Sequence, residues 1–286
     1  INDVPHIAFG SMPNDGGFLL FSNEEKIDFL KNEPRAEKFI KPLISSDEYL
    51  YNQKRWCLWL ADVEPNEWRS LPLVVERVGG VIKHRNKSKR STTNELASTP
   101  YLFGEIRQPK HSYVMILRHT SENRRYVPYS FFDSTNIVHD SCLAIENASL
   151  YHFGVISSIM HMAWMRTVCG RLTGRYRYSN TIVYNNFPWP NNPDIKKISK
   201  VEEYAQQILD VRRKYPRSSP ADLYDPIAMP KDLRKSHDAL DSAVDDCYGN
   251  YKFPTELSRV VFLFELYVNY VEPLGLIRIK KKSRKS

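Results

Sequence analysis

Apolar and polar positions change rhythm twice along the chain. In the first hundred residues they mix helix-like spacing with short strand-like runs. Ser22-Asn23-Glu24-Glu25 has the spacing of a capping box, in which Ser22 accepts the Glu25 amide and the Glu25 carboxylate reaches back, so a helix is predicted to about Asn32. Trp56-Cys57-Leu58-Trp59-Leu60, bounded by Asp62 and Pro65, reads as a buried strand. Leu71 to about Arg90 reads as a helix through Leu73, Val74, Val78, Val81 and Ile82, weakened by Gly79-Gly80.

After Pro100 the runs become short and rich in β-branched or aromatic residues. Strands are predicted at 113–117, 125–128, 136–138 and 142–145, separated by turn residues. From Ser149 to Cys169 the pattern is helical again, with Tyr151, Val155, Ile159, Met162 and Met165 as a core-facing stripe and Gly170 as the residue just beyond the cap. Phe187-Pro188-Trp189-Pro190-Asn191-Asn192-Pro193 continues neither a helix nor a central strand, because proline lacks the amide donor and restricts its predecessor. Three helices are predicted beyond it, at 194–215, 231–248 and 255–271, followed by the basic tail 280–286. The expected fold class is α+β: a mixed α/β unit over residues 1–190 and an all-helical unit over 191–286.

Composition narrows the class. With 286 residues, 42% hydrophobic and 26% charged, the chain is long enough for one large core or two ordinary ones and is not disordered. The four cysteines lie far apart with no C-x-x-C pair, which indicates neither a zinc site nor a disulfide framework and suits buried thiols in a reducing compartment. There is no run of eighteen apolar residues and no signal-peptide order at the start, so a cytoplasmic protein with no membrane partner is expected. The first residue, Ile1, suggests a piece of a longer polypeptide.

Net charge is +8 and unevenly placed. Between Arg77 and Arg125 eleven Lys or Arg face three acids, and that excess alone equals the net charge of the chain. Asn147 to Pro193 contains no acid at all, so Arg166, Arg171, Arg175 and Arg177 read as an uncompensated positive surface beside Tyr176, Tyr178, Tyr184 and Trp189. Such a stretch suits a polyanion with flat bases. Lys83, Arg85, Lys87, Lys89, Arg90, Arg118, Arg124, Arg125 and Arg171 are the candidate phosphate contacts, since lysine and arginine bind phosphate with release of counterions. Arg175 and Arg177 alternate with Tyr176 and Tyr178, so in an extended chain the arginines face one side and the tyrosines the other. An arginine can donate two parallel hydrogen bonds to guanine O6 and N7, which makes that side a candidate reader. The plainer alternatives are a solvated basic face and an ordinary amphipathic strand.

Catalytic signatures are missing. There is no G-x-G-x-x-G after a strand, no G-x-x-x-x-G-K-[ST], no H-E-x-x-H and no G-x-S-x-G. His152 and His161 lie on the apolar helix as core or interface histidines, and Asp245-Asp246 falls on a solvated helix. No catalytic residue and no metal ligand is assigned. The readings left are a nucleic-acid recognition module, a protein-interaction module docking a partner subunit, and an enzyme with a dispersed site.

Three blocks sharpen the choice: Pro100 to Pro109 (PYLFGEIRQP), Arg124-Arg125-Tyr126-Val127-Pro128, and Tyr151-His152-Phe153-Gly154 through Met162-Ala163-Trp164-Met165-Arg166 to Tyr184-Asn185-Asn186-Phe187-Pro188-Trp189-Pro190. Together they resemble the target-recognition region of MmeI-like DNA methyltransferases, the single-chain restriction-modification enzymes of type IIL. Leu223-Tyr224-Asp225-Pro226, Met229-Pro230, Leu233-Arg234, Leu240-Asp241 and Ala243-Val244-Asp245 resemble the helical C-terminal segment of that family. The resemblance implies double-stranded DNA as partner and an upstream domain of the same polypeptide that binds S-adenosylmethionine and methylates adenine N6 through an [ND]-P-P-[FY] motif. This chain lacks that motif, since Asn185-Asn186-Phe187-Pro188-Trp189 has the letters in another order, so no cofactor is expected within it. The resemblance also places base-reading positions just after the long helix, at Thr173, Arg175 and Arg177, with a partner near Ser141.

Overall fold

A computed structural model describes residues 4–274. The basic tail 280–286 lies outside the described residues. The strands are β1 (Ile7–Phe9), β2 (Leu20–Ser22), β3 (Ile40–Ile44), β4 (Arg55–Leu58), β5 (Tyr113–Leu117), β6 (His119–Thr120), β7 (Ser130–Phe132), β8 (Ile137–Val138), β9 (Cys142–Glu146), β10 (Gly170–Leu172) and β11 (Arg175–Arg177). The helices are α1 (Asn23–Asn32), α2 (Ser46–Leu50), α3 (Pro65–Arg69), α4 (Pro72–Asn86), α5 (Ser91–Glu95), α6 (Leu150–Ser157), α7 (Ile159–Val168), α8 (Ile195–Arg213), α9 (Pro220–Leu223), α10 (Lys231–Cys247) and α11 (Glu256–Val271). The class is α+β, with a helical C-terminal region.

Three sheets organise the first two hundred residues. One runs β1-β9-β5-β7, all antiparallel, with all five β5 residues buried, as their unbroken apolar run requires. A second runs β2-β4-β3-β8, in which only the β3–β8 pair is parallel. It packs with α1 and α4 around a separate core that includes Phe21, Phe39, Leu58, Trp68, Val74 and Val81. The third, β10-β11-β6, is small and carries the candidate site.

Local signals give the expected elements where the determinants are local. Both halves of the Ser22–Glu25 capping box are formed. The predicted helix 149–169 is instead two helices. Ser158 adopts an extended conformation between α6 and α7, its hydroxyl donates to the Val155 carbonyl, and the freed Ile159 amide donates to Asp241 Oδ1 at 2.7 Å. Gly170 is not a left-handed cap either: the chain leaves α7 through extended Cys169, and Gly170 opens β10. The predicted strand at 125–128 is irregular backbone.

Strands β5 and β9, helices α6 and α7, and the buried faces of α8, α10 and α11 share one continuous core. Gly154 makes this contact close, since a Cβ there would lie 2.6 Å from Val201 Cγ1. The proline-rich segment is packed into the same core through Phe187 and Trp189, and Tyr248 donates to the Pro188 carbonyl at 2.8 Å. Asp241 on α10 also accepts from the Tyr126 hydroxyl at 2.7 Å, and burial raises its pKa to about 6.

Candidate nucleic-acid interface

The third sheet grows directly from the core. Strand β5 continues through Arg118 into β6, and α7 runs out into β10. Thr173 (φ 50°) and Gly174 (φ 87°) form a two-residue turn with both residues left-handed, the type I′ geometry that matches strand twist. A β-branched residue in that region costs about 1–2 kcal/mol, so the strain sits on a candidate reading position. The run expected to be extended is so over Arg175–Arg177, where it forms the second strand of a tight hairpin.

Alternation along β11 works as expected. Tyr176 and Tyr178 are buried while Arg175 and Arg177 are exposed on the opposite face. The register pairs Tyr176 with Thr120 and Arg177 with His119. The Tyr178 hydroxyl is bonded to His161 Nε2 at 3.1 Å, and the Tyr178 amide donates to the Arg118 carbonyl at 2.8 Å. The tyrosines thus anchor the hairpin, and with Tyr184 and Trp189 also buried, none of the four is free to stack on a base.

A cleft of about 810 Å³ lies at the hairpin tip, and Ser141, Thr173, Arg175 and Arg124 all line it. Arg177 stands beside it on the exposed face of β11. Ser141 is fixed by its neighbours: its amide donates to His139 Nδ1 at 3.1 Å, and its carbonyl accepts from Ser46 Oγ at 3.0 Å. Burial lowers the His119 pKa, and the cations Arg118, Arg177 and Arg175 push it the same way. Burial also lowers the Arg124 pKa, with Arg175 adding to the effect and Tyr51 and Asp225 opposing it. Burial dominates both shifts, and the three arginines lie close enough to His119 to disfavour its charged form further.

Sequence reasoning missed the opposite wall. Ser46, Asp47, Leu50 and Tyr51, on or just after α2, line the cleft with Glu122. The S-x-x-E spacing of Ser45 and Glu48 was the available signal for that helix start. Asp47 and Glu122 supply hydrogen-bond acceptors among the arginines, the type that receives a cytosine N4 amino group. His119 Nε2 and Thr120 Oγ1 are buried without a hydrogen-bond partner among the described residues.

The candidate phosphate contacts divide. Arg171 is exposed and stacks on Tyr176 with 4.6 Å to the ring centroid. Arg118 lies over the Phe9 ring, and Arg125 is ion-paired with Asp238 at 3.0 Å. Lys83, Lys87, Lys89 and Arg90 are exposed at and beyond the end of α4 and do not line the cleft. Arg85 is not a phosphate contact. Its side chain is fully buried and donates to the carbonyls of Pro13, Asn14, Leu96, Thr99 and Leu102 at 2.7–3.2 Å, which occupies its donors. Arg166 is not uncompensated either, because Glu256 accepts from it at 2.6 Å.

Other chemistry is sparse. His152 completes a capping box with Ser149, and Asp245 is ion-paired with Arg259 at 2.5 Å. Among the described residues no group of three or more His, Cys, Asp or Glu is placed to hold a metal ion, and no helix is long and apolar enough to cross a membrane.

Known proteins resemble this chain over most of its length. DNA methyltransferase A of Bacillus subtilis (strain 168) is 35% identical over 272 residues, which cover 95% of this chain and 31% of that protein. The solved structure of the type IIL restriction-modification enzyme MmeI in complex with DNA superimposes with a TM-score of 0.92 at 43% identity, over 95% of this chain and 36% of that one. The chain thus spans about a third of the length of these relatives. Family models described as the MmeI target recognition domain and the MmeI C-terminal domain match residues 1–191 and 193–275, and the chain belongs to that family.

Proposed function

We propose that this chain reads the sequence of duplex DNA as the recognition part of a restriction-modification methyltransferase of type IIL. The observation that carries the reading is the hairpin face: Arg175 and Arg177 are exposed on β11, held by buried tyrosines, and Arg175 lines a cleft with Thr173 and Ser141. In this reading Arg175 and Arg177 donate to base edges, and Thr173 and Ser141 add short hydroxyl contacts. Lys83, Lys87, Lys89, Arg90, Arg118, Arg124, Arg125 and Arg171 serve the phosphates. Residues 1–190 form the recognition unit and 191–286 its C-terminal continuation, whose described residues are mainly helical.

The methyl transfer belongs elsewhere in the polypeptide. An upstream domain binds S-adenosylmethionine and modifies adenine N6, and the two parts act in the cytoplasm. Flipping of the target adenine is done with that domain. The test is retention of a random duplex library by this chain at two salt concentrations, followed by sequencing. A short enriched motif is expected; salt-sensitive retention without enrichment would refute base reading by this chain alone.

One feature favours a second reading, a surface that docks a partner. Leu257, Val261 and Phe264 are exposed on one side of α11 by 70%, 52% and 39%. Salt-insensitive binding to a protein partner, with no retention of duplex, would replace the first reading by this one.

A further inference from the structure

The Tyr224-Asp225-Pro226…Met229-Pro230 segment does not line the hairpin cleft, yet it is tightly built. The Tyr224 hydroxyl is bonded to the buried His237 Nε2 at 3.0 Å. Asp225 Oδ1 accepts from the amides of Ile227 and Ala228 at 2.9 and 3.0 Å, and the Asp225 carbonyl accepts from Met229. At the apex of this braced turn Ile227 is 96% exposed, the highest exposure of any large apolar side chain among the described residues. A braced backbone therefore holds an aliphatic side chain out in water.

Its position is continuous with the hairpin cleft. A second cleft of about 510 Å³ is lined by Asp225, Pro226 and Ile227 on one side and by Ser121, Asn123 and Arg124 on the other. Ser121 and Arg124 line the hairpin cleft as well. Beyond the turn, Lys231, Arg234, Lys235 and Asp238 are exposed at the i, i+3, i+4, i+7 spacing that puts them on one side of α10. Asp238 pairs with Arg125, which ties that stripe to the site loop, and the three cations have no ion pair among the described residues. The one acid at the apex, Asp225, has its Oδ1 engaged within the turn.

The geometry points to the 225–229 turn as a second DNA-contacting element, in which Ile227 enters a groove of the duplex read by Arg175 and packs on sugars and base edges. Lys231, Arg234 and Lys235 flank it on phosphate. Apolar side chains serve this way in groove-binding proteins, where they supply contact area that no salt can screen. The inference rests on the DNA-reading function proposed above.

The test is fluorescence anisotropy of this chain with a duplex carrying its enriched motif, across a salt series, for wild type, Ile227→Ala, Ile227→Leu and Arg175→Ala. Ile227→Ala is expected to weaken binding by about tenfold, the scale of one buried aliphatic side chain. Its salt slope should equal that of wild type, since no phosphate contact is lost. Ile227→Leu should bind within about threefold of wild type, as an aliphatic replacement keeps most of the contact area. All variants should keep the wild-type Tm, because neither residue is buried. Wild-type affinity for Ile227→Ala, with Arg175→Ala still weakened, overturns this inference and leaves the reading function standing. Loss of Arg175→Ala sensitivity, or no duplex binding by wild type, overturns both.

Discussion

Lowering the pH from 6.5 to 4.5 is expected to cost this protein about 3 kcal/mol of stability. His161 and His237 are fully buried, and burial pulls the pKa of each down to about 3. Arg212 and Arg125 add to the effect at His237. In the unfolded chain both rings titrate near 6.5, so below that pH the unfolded state takes up protons that the folded state refuses. Each histidine then removes about 1.4 kcal/mol per pH unit, or about 5 kcal/mol for the pair across the two units. Asp241 opposes them, because its folded pKa of about 6 exceeds its unfolded value. It favours the folded state as the pH drops below 6 and restores about 2 kcal/mol by pH 4.5. The partly buried His119, His139 and His152 are shifted in the sense of the first pair and Asp245 in the sense of Asp241. Urea unfolding followed by tryptophan fluorescence at pH 6.5, 5.5 and 4.5 measures the slope, and His237→Gln should reduce it by about 1.4 kcal/mol per pH unit. Stability that stays level or rises over this window, or an unchanged slope in the variant, refutes the argument.

Arg175→Ala should weaken binding to the selected sequence by about 1–3 kcal/mol while leaving unrelated duplex nearly unaffected; an equal loss on every sequence makes it a phosphate contact instead. For Lys87→Ala combined with Lys89→Ala, a uniform loss and a shallower salt dependence are expected, and an unchanged slope removes the end of α4 from the interface. Arg85→Met should destabilise by about 3 kcal/mol or more, because buried carbonyls lose their donor, and a Tm near that of wild type would show that water replaces the guanidinium.

What the sequence revealed depended on how far each residue's partners lie along the chain. Ser22 and Glu25 are three residues apart, and their box formed as read. The two-residue alternation of β11 was equally local, so the division into outward arginines and inward tyrosines followed from it. Arg85 sat in a basic run that resembled a solvated face, and only tertiary structure supplied five carbonyls to bury it. The break at Ser158 was hidden because the apolar stripe runs through it, while Asp241, which receives the freed amide, lies 82 residues away. Arg166 had no nearby acid, yet Glu256 reaches it from 90 residues on. The α2 wall of the cleft was likewise invisible, since a wall exists only once β3 and β9 have brought Ser46 beside Ser141.

The tight seating of α6 on α8 at Gly154 bears on how new target preferences arise. A cut at residue 190 would part Phe153, Val155 and Ile156 from Val201, Ala205 and Leu240, all members of one core. Exchange of the first 190 residues between homologues would therefore need matching changes on the helices behind them. The hairpin face is under no such constraint, because Thr173, Arg175 and Arg177 project into solvent from a two-residue turn. On the proposed reading, target preference changes by single substitutions at the hairpin, while exchange of either half demands repacking of the core they share.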